Sequence, residues 1–272
     1  MYALIAVGIV IIFKATKVFN FAQGHLLMMG VLLSLIFINN FGIWIAIPLT
    51  IVCAVGIGWV VERVALRPLI GQSIISALLM TLAVAYLLDG IATIFWGSKI
   101  VPYPMWFPEQ KFPFGAIEVS SAYVWTILIA TAIFVGLAFF YRRSMMGKAM
   151  RATADSHQVS QSLGIKVTKI FSLCWIMAAV IAFIMALFFG VHVGAFRYLS
   201  EWGFKAIPAV LVGGLDSILG AIIGGLLVGV LEVIATAYLG AAIGNIFPFI
   251  VLLIVIIVRP HGLFGQVEVA RV

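Results

Sequence analysis

The sequence predicts an all-α polytopic membrane protein of about eight or nine transmembrane helices, some of them short or broken. Three observations carry this. Hydrophobic residues make up 65% of the 272 residues and charged residues only 9%, whereas a soluble domain is about a quarter charged. Mean hydropathy is +1.26. Apolar runs near the ~20 residues that cross a ~30 Å hydrocarbon core recur along the chain. An open sheet cannot satisfy its backbone in lipid, so the runs are helical.

In order, the runs cover 2–13, 25–39, 43–61, 74–96, 122–141, 170–191, 203–213, 217–237 and 244–258. The first and the seventh are short for a full span, which leaves the count at eight or nine. The first run has no basic region before it and no small-residue cleavage site at its end. It therefore reads as a span with a truncated start rather than as a signal peptide. The whole chain, 1–272, reads as one transmembrane domain.

Cations lie between the runs rather than along one face, so the net charge of +7 points to orientation in a bilayer rather than to nucleic acid. With nine crossings, one side holds Lys14, Lys17, Arg63, Arg67, Arg142, Arg143, Lys148, Arg151, Lys166, Lys169, Arg259 and Arg271. The other holds Lys99, Lys111, Arg197 and Lys205. The first set is expected to be cytoplasmic, and the C-terminus with it.

Two connections are long. Residues 97–121 carry four prolines and several aromatics, which rules out a continued helix and suggests an interfacial or capping segment on the outer side. Residues 142–169 form the main cytoplasmic segment. There, Gly147 to Leu163 read as one or two short helices divided near Asp155–Ser156, with Ala149, Met150, Ala152 and Ala154 set among cations. A loop that served topology alone would need only the charges, so this composition suggests a docking element.

Catalytic signatures are absent. The chain has no G-x-x-x-x-G-K-[ST] loop, no H-E-x-x-H, no G-x-S-x-G and no Cys/His cluster. Cys53 and Cys174 sit inside apolar runs as small fillers. Neither a metal nor a cofactor is expected in this chain, and any coupling to ATP must come from a partner.

Two breaks interrupt the apolar sequence. Asn20-Phe21-Ala22-Gln23-Gly24-His25 reads either as a plain cytoplasmic turn or as a broken helix at membrane depth, a place irregular backbone occupies only when it lines a cavity or is buried in protein. Gly213-Gly214-Leu215-Asp216-Ser217 ends a short helix containing Pro208, and Asp216 and Ser217 can cap the next one. The G-x-x-x-G frames Gly220–Gly224 and Gly225–Gly229 follow and allow close helix packing. If the two breaks meet, Asn20, Gln23, Gly24, Gly213, Gly214 and Ser217 would line one polar track. Asp89, Asp216 and Glu232 are acids in or near spans. They suit an ion-coupled carrier or, equally, interface and structural pairing.

Taken together, several segments resemble the branched-chain amino acid ABC transporter permeases of the Liv class, and most closely the LivH type. They are Tyr2-Ala3-Leu4, Asn20-Phe21-Ala22-Gln23-Gly24, Glu62-Arg63 with Arg67-Pro68-Leu69, Gly147-Lys148-Ala149-Met150-Arg151-Ala152, Gly164-Ile165, Gly213-Gly214 through Gly224-Gly225, Glu232, and Arg259-Pro260-His261-Gly262-Leu263-Phe264-Gly265. The resemblance spans essentially the whole chain. One departure is the start, because members of that family carry further residues ahead of the Tyr-Ala-Leu segment.

The resemblance implies a permease subunit of an importer in a prokaryotic cell (inner) membrane, with a homologous second permease, two ATP-binding subunits and an extracytoplasmic solute-binding protein. It implies coupling to the ATPases through Gly147, Lys148, Ala149, Met150, Arg151, Ala152 and Gly164. The cargo would be a branched-chain or other hydrophobic amino acid. A relative carrying urea or another amide, an ion-coupled secondary carrier and an unassisted channel remain the alternatives.

Overall fold

The computed structural model describes residues 1–97, 99–114, 117–155 and 157–265; Ser156, Arg271 and the rest of 266–272 lie outside the described residues. Twelve α-helices are described: α1 Tyr2–Thr16, α2 Gln23–Phe41, α3 Ile43–Val60, α4 Ile74–Trp96, α5 Ser121–Arg143, α6 Met145–Asp155, α7 His157–Ser162, α8 Val167–Val193, α9 Glu201–Lys205, α10 Ile207–Gly213, α11 Ile218–Leu239 and α12 Ala241–Val258. Seven helical stretches are long and apolar enough to cross a membrane, among them the 27 residues Ile43–Leu69. The chain is thus a multi-pass membrane protein.

Burial sorts the helices into a centre and a periphery. Every residue from Tyr2 to Ile12 of α1 is buried, as is most of α8. A helix that is apolar all round belongs inside a bundle. Helix α1 packs against α8 and α11, and α8 packs in turn against α2 and α3, which also pack on each other. The outer helices α5 and α12 bury little of themselves. The bundle's outer face exposes large apolar side chains such as Trp44 of α3, Tyr86 and Ile94 of α4, Tyr238 of α11 and Ile257 of α12, the surface expected of a protein whose solvent is lipid or a second membrane subunit.

The two short runs take different forms. α1 has 15 residues, about 22 Å at 1.5 Å per residue, less than a hydrocarbon core. The run expected over 203–213 is two helices, α9 and α10, that meet at Ala206 after a 3-10 turn over Arg197–Ser200. Pro208 causes this restart. It lacks an N–H and its ring would clash with the carbonyl four residues back, so it is accommodated in the first turn of a new helix. The run expected to end at residue 61 continues through a π-helical turn, Val61–Leu66, and a 3-10 turn, Arg67–Leu69.

The proline-rich connection forms a small cap at one end of the bundle. Residues Lys111–Phe114 (β1) and Ile117–Ser120 (β2) pair antiparallel, with Lys111 opposite Ser120, a hairpin the prolines did not reveal. Trp106 donates its indole N–H to the Leu187 carbonyl at 3.1 Å and packs edge-on to Phe188. Tyr103 is buried against Gly190, its hydroxyl 2.8 Å from Ser34. Burial pushes that phenol up to about 12, so it stays protonated and able to hydrogen-bond across the physiological pH range. The other end carries Lys17, Arg67, Arg142, Arg143, Lys148, Lys166, Lys169 and Arg259 at helix termini, and is called the basic end below.

Candidate translocation path and coupling surface

The first break lies deep in the bundle. α1 ends at Lys17, a left-handed residue (φ 57°) whose N–H closes on the Phe13 carbonyl. The chain then turns back from the basic end, and α2 begins only at Gln23. The Gln23 side chain fills the space beside Gly8, the midpoint of α1, and donates to the Ala178 carbonyl near the middle of α8 at 3.2 Å. The unwound stretch is therefore at mid-height.

Its polar groups are satisfied locally. Asn20 donates to Gln23 Oε1 at 3.1 Å and accepts from Ala22 N at 3.0 Å. Thr81 of α4 accepts from Phe21 N at 3.3 Å and donates to the Phe19 carbonyl at 3.2 Å. Asn20 and Gln23 are each 1% exposed. Gly24 permits the approach of α9, because a Cβ there would stand 2.2 Å from the Ser200 carbonyl and 2.7 Å from Gly203 Cα.

The second break is at the basic end. Gly214 has φ 103° and its Cα lies against the backbone of Gly265. Ser217 caps α11 by accepting from Gly220 N at 2.9 Å. Gly213 meets Gly220 backbone to backbone, and Gly224 meets the Ala209 carbonyl and Gly213. Gly225 turns to a different neighbour, the backbone of Ala3 in α1, while Gly229 touches only the Tyr2 ring. The Arg-Pro-His-Gly-Leu-Phe-Gly segment straps this corner: Leu263 N donates to the Val212 carbonyl at 2.8 Å and Phe264 N to that of Gly213 at 3.1 Å.

The two breaks thus use their polar side chains separately. Asn20 and Gln23 bond to each other and to backbone, while the Ser217 hydroxyl caps a helix. What joins the breaks is an ion pair, Lys17 Nζ to Asp216 Oδ1 at 3.0 Å.

The segment expected to dock a partner is a pair of short helices at the basic end, with α6 amphipathic. Gly147 is buried where α6 turns back on α5: a Cβ would meet the Phe140 carbonyl at 2.5 Å. Met150 and Thr153 face the bundle, and Arg151 donates to the Tyr141 carbonyl. Lys148 is exposed, Ala149 and Ala152 are half-buried, and Gly164 ends the segment at φ 80°. Met145, Met146, Val159 and Leu163 are the large apolar side chains turned outward; the sequence reading passed over them because their periodicity is short and their neighbours polar. His157 Nε2 donates to the Ala15 carbonyl at 2.9 Å and its ring meets Phe171 edge-on. A cleft of about 380 Å³ opens beside it, bounded by Lys17, Glu62, Arg67, Gln161 and Trp175.

The remaining acids divide by environment. Glu62, 1% exposed, accepts two hydrogen bonds from Arg67 at 3.0 and 2.8 Å and one from Ser172 at 2.6 Å. Asp89 faces Arg197 at 3.9 Å. Glu232 lines an open cleft with Tyr2 and Trp202.

A multi-pass helical bundle with a helix broken at mid-height and an amphipathic helix at one end is the architecture of a membrane transport permease. The chain belongs to the family described as branched-chain amino acid transport system / permease component, whose family model matches residues 1–256. It is 32% identical to the high-affinity branched-chain amino acid transport system permease protein LivH of Salmonella typhimurium, covering 100% of this chain and 93% of the relative. It is 29% identical to BraD of Pseudomonas aeruginosa (100% and 94%) and 27% identical to a probable LivH of Methanocaldococcus jannaschii (97% and 89%). No solved structure matches.

Proposed function

We propose that the chain is one of two permease subunits of an ATP-binding-cassette importer that takes up leucine, isoleucine, valine or a similar hydrophobic amino acid. It would be paired with a homologous permease, two ATP-binding subunits at the basic end and a solute-binding protein at the opposite end. The basic end, with the C-terminus, then faces the cytoplasm of a prokaryotic cell, in keeping with the excess of Lys and Arg there. Hydrolysis belongs to the ATP-binding subunits.

The observation that carries this reading is the link between the coupling helices and the broken helix. α6, α7 and the turn after it present Met145, Met146, Val159 and Leu163 outward, and His157 ties α7 to the last turn of α1, directly before the unwound residues. Movement imposed on the short helices is thereby delivered to the unwound stretch at mid-height.

The test is leucine uptake into proteoliposomes holding the complex with and without its ATP-binding subunits. Uptake that needs both internal ATP and those subunits, and survives collapse of the ion gradients, is expected. Uptake by the permeases alone, abolished by an uncoupler, would make the chain a secondary carrier instead. Uptake of an amide or urea in place of leucine would move the cargo within the family.

A further inference from the structure

We propose that Asp89 and Arg197 form a subsite for the two opposite charges of an α-amino acid passing the broken helix. The proposal deepens the function inferred above and rests on it for the identity of the cargo.

The pair stands beside the break. Asp89 is eight residues along α4 from Thr81, the side chain that holds Phe19 and Phe21, which places it about 12 Å further up the same helix. Arg197 opens the 3-10 turn whose last residue, Ser200, touches Gly24 through its carbonyl. The ring of His25 lies beside the Phe21 carbonyl and within electrostatic reach of Asp89. It is 6% exposed, and its Nδ1 closes no hydrogen bond of good geometry.

The ion pair is open where a structural one would be closed. Arg197 Nη2 and Asp89 Oδ2 are 3.9 Å apart, beyond the ~2.7–2.9 Å of a charge-assisted hydrogen bond. The Glu62–Arg67 pair of the same protein closes to 2.8 Å, with the Glu62 carboxylate buried. Arg197 is held in place by other contacts: Nη1 donates to Thr93 Oγ1 at 3.0 Å, and the guanidinium lies 4.8 Å from the Tyr198 ring centre. Its Nε, shielded from water, has no hydrogen-bond partner among the described residues. A buried donor without a partner is unfavourable, so the guanidinium gains by shifting its Nε–Nη edge onto a ligand carboxylate. Asp89 and Arg197 side chains are 28% and 25% exposed, so the pair is reachable from outside the core.

The ligand class follows from the charges. An anion alone would meet Asp89, and a cation alone would meet Arg197. An α-amino acid carries its ammonium and carboxylate on one carbon, so it can engage both members at once. Tyr198 is exposed against the guanidinium, and Phe204, exposed at the break, packs on Phe21 with ring centres 6.3 Å apart. These rings offer the apolar surface that a branched side chain needs.

The test uses the complete complex in nanodiscs, with Cys53→Ala and Cys174→Ala, and a reporter cysteine at Tyr198 or, separately, Phe204. The rate of labelling by a small water-soluble methanethiosulfonate is measured against rising leucine, leucinamide (no carboxylate) or 4-methylpentanoate (no ammonium). Leucine is expected to protect and neither analogue to do so. Asp89→Asn and Arg197→Gln should each raise the leucine concentration for half-protection by at least about tenfold, the effect of losing one charged hydrogen bond. Equal protection by all three compounds, an unchanged half-protection in either variant, or no protection at either reporter would overturn the subsite. Should a variant fail to assemble, the comparison of the three compounds on the unsubstituted pair decides alone. Charge-dependent protection in a complex that does not take up leucine would count against the cargo and leave the subsite standing.

Discussion

Glu62 and Asp216 show what single residues in this chain do, and how unevenly their sequence context announces it. Ser217 is readable as a helix cap from its place after paired glycines. Asp216 beside it instead pairs with Lys17, 199 positions away, and no local pattern names a partner that distant. Glu62 likewise sits five residues before Arg67 at the end of an apolar run. Only the π-helical turn over Val61–Leu66 brings the two into a bidentate pair and turns the carboxylate toward Ser172. Glu62 is the buried member, and removing it strands the Arg67 and Ser172 donors that its carboxylate satisfies. Glu62→Ala is therefore expected to lower the Tm of the detergent-solubilised protein by about 5 °C or more. Glu118→Ala, in the exposed Lys111–Glu118 pair of the hairpin, should leave it nearly unchanged. Equal shifts in the two variants, read by thermal unfolding, would show that Glu62 is not a structural anchor.

Among the elements, the long apolar helices were legible because hydropathy and length suffice to mark them. The breaks were legible only as interruptions. Asn20 and Gln23 mark a polar stretch, but its depth depends on Gly8 and Ala178 accepting the Gln23 side chain, a three-helix contact that no one-dimensional pattern contains. The glycine frames behave similarly. Their spacing announces close packing and does not say that Gly220 and Gly224 face α10 while Gly225 faces α1. At Gly224 a Cβ would stand 2.3 Å from the Ala209 carbonyl, while at Gly136 of α5 nothing lies within 4 Å. Gly224→Leu is therefore expected to destabilise by about 1–3 kcal/mol or more and to reduce the yield of folded protein. Gly136→Leu should be tolerated as far as the fold of this chain is concerned. Size-exclusion profiles and Tm of both variants, expressed side by side, check this. A well-folded Gly224→Leu protein would mean that α10 and α11 separate more easily than their backbone contact implies.

On the scale of the whole molecule, the question is how an event at the basic end reaches the middle of the bundle. α1 is the one helix in contact with everything that matters: Gly8 holds Gln23, Ala3 holds Gly225, Lys17 holds Asp216 and Ala15 receives His157. Ala3 and Gly8 are five residues apart, so they present faces about 140° apart on the helix, and α1 stands between the two breaks rather than beside one of them. On the proposed route, a shift of α7 would pull on the Ala15 carbonyl and move the left-handed Lys17 turn, which begins the unwound stretch. The His157 hydrogen bond is the polar tie between α7 and this route. His157→Phe keeps an aromatic ring against Phe171 and deletes only the hydrogen bond. It should therefore cost at most about 1 kcal/mol of stability and leave the complex able to assemble. If the route carries the motion, leucine transported per ATP hydrolysed should fall severalfold in the variant. His157→Gln, which can restore a donor to the Ala15 carbonyl, should recover part of that ratio. An unchanged ratio in His157→Phe would move the transmission to the other contacts of the segment, the Gly147 corner and the Arg151 bond to Tyr141.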